Sequence, residues 1–417
     1  MKAKHFKFLF VFLIVIMLVT ACAQAPAEAE KPAAAAAEEE AAPVEEEAAE
    51  EEASTEEPIY FAAIYPMTGD NAQFGEVEVW GSEYAVDEIN AAGGINGRKV
   101  EMVVFDDRGD PQEAANIASK VAYDPKFVFG IGHFRSGSTL AASPIYDAAE
   151  FLFVTDSVNE KLSGISPWVF RFSLTDTEDS RQFAWAAAKN HPEYKTAAIM
   201  YPQNDFGISA DRIIGEELEN ILGVEVVAHE SYFEGQSKDY SPQLTKIKAL
   251  NPDAIFICGY FPEGAAIIRQ ARALGMTQTF WAGNGNANDG LIELSGKDGE
   301  GTRIVNYYSV TADYPGNAET VEKFTEKYGT IPDGFSAPAL DMTRMMLLGI
   351  ELVGTDKNDL KAWLETYQDF VGIAGPIVFN EVHDNQRRIF MAEIKDGKFV
   401  PSADQVPDEY FETRFGK

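Results

Sequence analysis

An α/β protein of two doubly wound parallel-sheet lobes is predicted by three observations. From residue 58 onward, apolar runs of strand length alternate with amphipathic stretches of helical length, the pattern of parallel sheets covered on both faces. Glycines follow the helical stretches at Gly93, Gly94, Gly223 and Gly275, where a helix C-terminus turns left-handed. The 360 residues of 58–417 exceed what one core usually holds, so two lobes are expected.

The strand-like runs cover 59–65, 100–105, 127–131, 151–155, 196–201, 224–230, 254–260 and 279–282. Helical patterns cover 81–92, 111–122, 210–222, 240–250 and 264–274. Ligands of such sheets bind at the carboxyl ends of the strands, where loops lead into helix N-termini. The loop 132–139 (GHFRSGST), followed by a helical stretch from Leu140, has small residues that let backbone approach a ligand. Unpaired N–H groups at the helix start and the hydroxyls of Ser136, Ser138 and Thr139 suit a carboxylate or another polar group. One of these hydroxyls capping the helix is the alternative, compatible with the first if different serines take each role. The loops 156–157, 202–207, 261–264 and 283–289 bring Tyr, Phe, Asn and Asp to strand ends. A polar cradle among aromatic rings suits a small amphipathic ligand, although each residue alone equally fits turn chemistry or core.

The body is preceded by an export signal and a tether. Lys2, Lys4 and Lys7 stand before an apolar run over 8–19 that ends in Leu18, Val19, Thr20, Ala21 and Cys22. The run is short of the roughly 20 residues that span a bilayer, and the small residues before Cys22 mark a cleavage point. This stretch resembles the lipobox of bacterial lipoproteins, with 1–21 as signal peptide and Cys22 as the lipidated first mature residue. Residues 23–58 are nearly all Ala, Glu and Pro, with thirteen Glu against the single Lys31. Such a segment has nothing to bury and repels itself, so 22–57 reads as a lipid-bearing cysteine on an acidic tether. Removing the tether's −12 and the leader's +3 from the formal −33 leaves −24 on 58–417. That charge repels nucleic acid and anionic lipid.

The composition also argues against an enzyme. His5, His133, His191, His229 and His383 form no metal-ligand spacing, and neither a G-x-S-x-G elbow nor a phosphate-cradling loop occurs. Asp106, Asp107 and Asp110 lack the closing glutamate of a calcium loop and read as a solvated turn. Cys258, in an apolar run, reads as a small buried hydrophobe, and with Cys22 committed to the anchor no disulfide is expected. No cofactor and no metal are expected.

Residues 65–75 (YPMTGDNAQFG), 87–97 (DEINAAGGING), 106–111 (DDRGDP), 132–146, 267–275 (IIRQARALG) and 373–377 (IAGPI) resemble the leucine/isoleucine/valine-binding type of periplasmic binding protein. The resemblance runs in the family's order over nearly all of 58–400. It implies a type 1 periplasmic-binding fold of two lobes joined by three crossovers, here near 173–177, 305–310 and 384–389. One lobe would comprise 58–176 and 306–386, the other 177–305 and 387–417. By the same resemblance Ser136 receives a ligand carboxylate, Phe74 covers the ligand, and Tyr260 and Phe206 are aromatic positions of the second lobe.

Three positions depart from the family's amino-acid pattern. Val158 stands where the family has a threonine, Asn284 where it has a glutamate for the α-ammonium, and Asp156 where it usually has alanine. Losing that glutamate removes a charge-assisted partner. Asp156 can replace it, with Asp289 a weaker candidate, or else the ligand lacks an ammonium. Arg135 occupies a position often held by a disulfide cysteine whose partner position is Gly109. It is expected to pair with Asp107 or Asp110, the alternative being a reach into the cleft toward an acidic ligand. The function implied is a monomeric, extracytoplasmic solute-binding lipoprotein. Its ligand is a branched-chain type amino acid or a related carboxylate or amide, delivered to the permease subunits of an ABC importer. A sensory protein using the same cleft is the alternative, since docking surfaces leave no motif.

Overall fold

A computed structural model describes residues 57–415. The signal, Cys22 and most of the acidic tether lie outside the described residues. The first sheet is parallel, with β1 (Ile59–Tyr65), β2 (Val100–Asp106), β3 (Phe127–Gly132), β4 (Phe153–Thr155) and β5 (Val169–Arg171) in the order β2-β1-β3-β4-β5. The second sheet repeats that order as β7-β6-β8-β9-β10, built from β6 (Thr196–Pro202), β7 (Glu225–Tyr232), β8 (Ala254–Ile257), β9 (Thr279–Ala282) and β10 (Arg303–Asn306). After a short ribbon of β11 (Val371–Gly372) and β12 (Gly375–Pro376), the antiparallel pair β13 (Phe390–Lys395) and β14 (Lys398–Pro401) extends the second sheet beyond β10.

Each sheet is apolar because helices cover both of its faces. Alternate residues of β1 serve opposite sides. Ala62 and Ile64 join Ile117, Ala118 and Ala142 of α2 (Pro111–Val121) and α3 (Ser136–Ala149). Phe61, Ala63 and Tyr65 join Val79 and Val86 of α1 (Ala72–Ala91) on the other side. The second lobe packs α4 (Asp176–Asn190), α5 (Asp205–Glu217), α6 (Ser241–Leu250), α7 (Phe261–Ala273) and α8 (Asp289–Ser295) on its sheet, around a core holding Phe183, Phe256 and Trp281. The remaining helices are α9 (Asn317–Tyr328), α10 (Ser336–Val353), α11 (Lys357–Thr366) and α12 (Asp408–Phe415). α9 and α10 return to the first lobe, where Tyr328 stacks on Trp80 of α1 at 5.2 Å.

The chain passes from the first sheet to the second between β5 and β6, returns after β10, and crosses again between β12 and β13. The first and last of these passages run side by side. Asn385 N–H donates to Arg171 O (3.0 Å) and its amide to Phe172 O (2.7 Å), Arg171 pairs with Asp384 (3.0 Å), and Gln182 brackets Arg387 and Ile389.

The helices begin earlier than the apolar periodicity suggests: α1 at Ala72, α3 at Ser136, α5 at Asp205 and α7 at Phe261. Their first turns are spent on polar, glycine and aromatic residues that face the other lobe, so the stripe marking a sheet-facing helix starts only later. The starts have their own causes. Asn204 accepts from Gly207 N–H at 2.8 Å, Asp110 accepts from Glu113 N–H at 2.8 Å, and prolines occupy the first turns of α2 and α7. The strand expected over 254–260 ends at Ile257, and the chain then leaves the sheet toward α7.

α1 and α10 cross closely at Gly81, where a Cβ would collide with the Ser336 carbonyl. This contact seats Phe335, just before α10, against Phe74 near the start of α1 (5.0 Å). Gly81→Ala is expected to destabilise residues 58–417 by roughly 1–3 kcal/mol, measured by urea unfolding. An unchanged midpoint would mean that the helices part without cost.

Candidate functional site

Both sheets turn the carboxyl ends of their strands toward one cavity. It is lined by Phe134 and Ser136 after β3, Asp156 and Val158 after β4, Phe206 at the start of α5, Tyr260 after β8, Asn284 and Gly285 after β9, Tyr307 after β10, and Phe335 before α10. Six of the seven residues named from the sequence therefore meet here: Ser136, Asp156, Val158, Phe206, Tyr260 and Asn284. The seventh, Phe74, is fully buried behind the wall. It stacks on Phe134 at 4.5 Å and meets Phe335, Phe261 and Tyr260 at 5.0, 5.5 and 5.9 Å. These rings leave ≈ 30 Å³ between the lobes, room for about two waters. An amino-acid-sized solute enters only if the lobes part.

Ser136 is the first residue of α3, and its Oγ accepts from Asn159 N–H at 3.3 Å, which leaves the hydroxyl proton for the cavity. Neither serine of the loop caps the helix; the N-cap residue is Arg135, without a side-chain cap bond. Ser138 Oγ is buried and finds no partner among the described residues. Thr139 Oγ1 bonds Ser157 Oγ at 2.6 Å, so it braces the loop instead of facing a ligand.

Two sequence expectations are corrected. Arg135 pairs neither with Asp107 nor with Asp110: it forms a bidentate bridge to Glu234 of the second lobe, at 2.9 and 2.7 Å, with Asn71 Oδ1 also accepting at 3.0 Å. Asn204 donates to the same carboxylate at 2.6 Å. The cause is topological, because the loop after β7 lies across the cleft from the loop after β3. The acidic turn after β2 is not simply solvated either. Asp107 is buried and holds His133 Nδ1 at 2.7 Å, while His133 Nε2 bonds Tyr146 OH at 2.8 Å.

The site is rich in acceptors that lack donors. Among the described residues Asp156 Oδ1 and Asn284 Oδ1 find no hydrogen-bond partner, while Asn284 Nδ2 donates to Tyr307 OH at 2.8 Å. Burial pushes the Asp156 carboxyl up to about 6. In the wall behind Tyr307, burial and then neighbouring Asp176 push Asp179 up to about 8, and burial pushes Asp176 to about 6. Asp289 stands outside the cavity, in adjoining crevices with Asp333.

The sequence reading missed Phe134, Tyr307, Phe335 and Glu234. Phe335 and Tyr307 come from segments without periodic signal, and Glu234 is distant from Arg135 in the chain. Phe134 lay within the loop singled out but was passed over for its serines.

The periplasmic binding protein family model matches residues 58–398. The chain belongs to that family. An amino acid binding protein of Pseudomonas aeruginosa is 33% identical over 311 residues, covering 72% of this chain and 81% of the relative. The Leu/Ile/Val-binding protein of Escherichia coli K12 is 34% identical over 266 residues, 62% of this chain and 71% of the relative. Among solved structures, a leucine binding protein of Thermotoga maritima MSB8 superposes with a TM-score of 0.79 at 30% identity, covering 84% of this chain and 99% of that one. The two lobes and their mixed second sheet are thus those of a periplasmic binding protein.

A buried carboxyl with a raised pKa keeps a proton that the unfolded chain releases near pH 4, so stability falls as pH rises from about 4 toward 8. The melting temperature of solute-free 58–417 is expected to fall by about 2–6 °C from pH 5 to pH 8, and Asp179→Asn to flatten the slope above pH 6. A melting temperature that rises with pH would contradict the assignment. Separately, Glu234→Gln breaks a partly buried bidentate bridge between the lobes, worth about 1 kcal/mol. Small-angle scattering should show a larger radius of gyration for the solute-free variant, and calorimetry a several-fold weaker solute affinity.

Proposed function

We propose that this chain is an extracytoplasmic solute-binding lipoprotein that captures a small amphipathic ligand and delivers it to an ABC importer. The ligand is an amino acid of the branched-chain type or a related carboxylate or amide. The observation that carries this reading is the convergence of Ser136, Asp156, Val158, Phe206, Tyr260 and Asn284 on one interlobe cavity. The names of the relatives, which bind amino acids and specifically leucine, isoleucine or valine, support the ligand class.

In this reading the ligand's carboxylate meets the Ser136 hydroxyl at the N-terminus of α3, where unpaired backbone N–H groups and the helix dipole favour negative charge. Its apolar part lies against Phe134, Phe206, Tyr260 and Val158, with Phe74 holding the rings from behind. The two bodies that close on it are 58–176 with 306–386 and 177–305 with 387–417. The paired passages at Asn385 and Gln182 act as their hinge. Closure presents a surface from both lobes to the permease subunits. The acidic segment from Cys22 to residue 57 is the tether, its lipid holding the body near the membrane. The protein works as a monomer, without cofactor, and does no chemistry on its ligand.

Calorimetry of 58–417 with a panel of amino acids, carboxylates and amides is expected to find one class binding tightly, and absence of any binding would overturn the reading. Ser136→Ala is expected to weaken a carboxylate ligand by roughly 1–3 kcal/mol. Unchanged affinity would reduce Ser136 to a brace for Asn159.

A further inference from the structure

A second and larger cavity, of ≈ 530 Å³, lies at the passages between the lobes. Its volume is in the range of small-molecule sites. All three passages wall it: the first with Leu174, the second with Tyr314 and the last with Arg387 and Arg388. Ala374 of the β11–β12 ribbon and Phe411 of α12 complete the lining. None of these residues lines the interlobe cleft.

Arg387 sets the chemistry of this cavity. It is 9% exposed, and among the described residues its guanidinium donates to a single acceptor, the backbone carbonyl of Tyr307. Its Nε is buried and finds no partner, and no carboxylate among the described residues forms an ion pair with it. A guanidinium carries five N–H donors in a fork that matches a carboxylate, and a buried cation without a counter-charge is costly. The acids around it are engaged elsewhere. Glu178 accepts from Arg181 at 3.1 Å and from Tyr410 OH at 2.5 Å. Asp408 is held by Arg388 at 2.6 Å, and Asp341 of α10 accepts from Ile373 and Ala374 N–H at 2.9 and 2.7 Å. Gln182 spends both ends of its amide on Arg387 O and Ile389 N–H. Acids are plentiful on a body of net charge −24, yet none is spent on Arg387.

We propose that the cavity at the passages is a second ligand site, which takes an amphipathic organic carboxylate. The carboxylate sits on the Arg387 guanidinium, and the aromatic or aliphatic body lies against Leu174, Tyr314, Ala374 and Phe411. Arg388, fixed by Asp408 and standing over the Phe411 ring at 4.2 Å, adds positive potential to the same wall. An inorganic anion gains nothing from the apolar part of the lining. A phosphate is disfavoured further, because Glu178 lines the same cavity and repels its second charge. The site is distinct from the cleft, and Tyr307 links the two: it lines the cleft cavity and takes Arg387 on its carbonyl. The inference stands apart from the proposed function, so its failure leaves that reading intact.

The probe is 4-benzoylbenzoate, a carboxylate whose benzophenone inserts into nearby C–H bonds under near-ultraviolet light, with 4-benzoylbenzamide as its neutral twin. Both are titrated calorimetrically into the folded body 58–417, which lies within one compact unit. After irradiation, adducts are mapped by peptide mass spectrometry. The carboxylate is expected to bind roughly tenfold to a hundredfold tighter than the amide. Its adducts should fall in the segments 174–182, 374–376, 386–388 and 408–411. Arg387→Met, which keeps an unbranched apolar stem, should bring acid and amide to equal affinity. Equal binding of the two probes by the unaltered chain would overturn the inference. So would adducts that are absent or confined to the cleft segments around Ser136 and Tyr260, or an acid preference that survives in Arg387→Met. The probe comparison and the adduct map need no substitution, so a poorly folding variant does not shield the proposal.

Discussion

The structure depends most on the burial of the Phe74 ring at the junction of the lobes. Phe134 and Phe335 press on it from its own lobe, and Tyr260 and Phe261 from the other. Its ring is wholly buried, a burial worth on the order of 2–3 kcal/mol, and part of that contact area exists only while the lobes are together. The backbone arrangement serves this ring. α1 carries Phe74, Gly81 lets α10 approach α1, and the end of β8 turns early so that Tyr260 and Phe261 reach across. Closure is thus partly a hydrophobic event between two half-cores.

The polar layer opposes this attraction. An acidic molecule keeps several carboxyls at its cleft: Asp156 in the cavity wall, Glu78 buried on α1, and Asp176 and Asp179 buried behind Tyr307. Desolvation disfavours their charged forms; Arg135 is held by Glu234 and Arg171 by Asp384, while the buried Arg387 donates to the Tyr307 carbonyl. The surface charge of −24 on the body does not explain such an arrangement, because surface acids keep their water.

Much of the fold was legible because parallel sheets write themselves as apolar runs. β1 and β6 are buried on both faces and are legible from their runs of Ala, Ile and aromatic residues. Helix starts were not legible, since the first turns of α1, α3, α5 and α7 face a second lobe whose surface the local sequence does not encode. Four of the strand-end residues singled out by the resemblance, Ser136, Asp156, Tyr260 and Asn284, share one cavity. Arg135 was misassigned because local acids were weighed while Glu234, ninety-nine residues away, was not. Glu78 did leave a signal. A glutamate four residues after Phe74, on the stripe that also holds Val79, Ser82 and Val86, is out of place on a helix face that meets a sheet.

These forces together explain how a trap can stay open when unloaded. Closing without a solute leaves Asp156 Oδ1 and Asn284 Oδ1 without a donor among the described residues, at up to about 1–3 kcal/mol each. Against that stand the Arg135–Glu234 bridge, worth about 1 kcal/mol in its partly exposed position, and the interlobe part of the aromatic contact. The opposing contributions are of similar size, so neither state dominates by much. A ligand that supplies the missing donors removes the penalty and keeps the attraction, and its differential affinity for the closed state sets the shift. Filling the cleft with stronger apolar contacts would close it permanently. Under the proposed function the unsatisfied acceptors are therefore part of the switch, since they make closure conditional on what lies between the lobes.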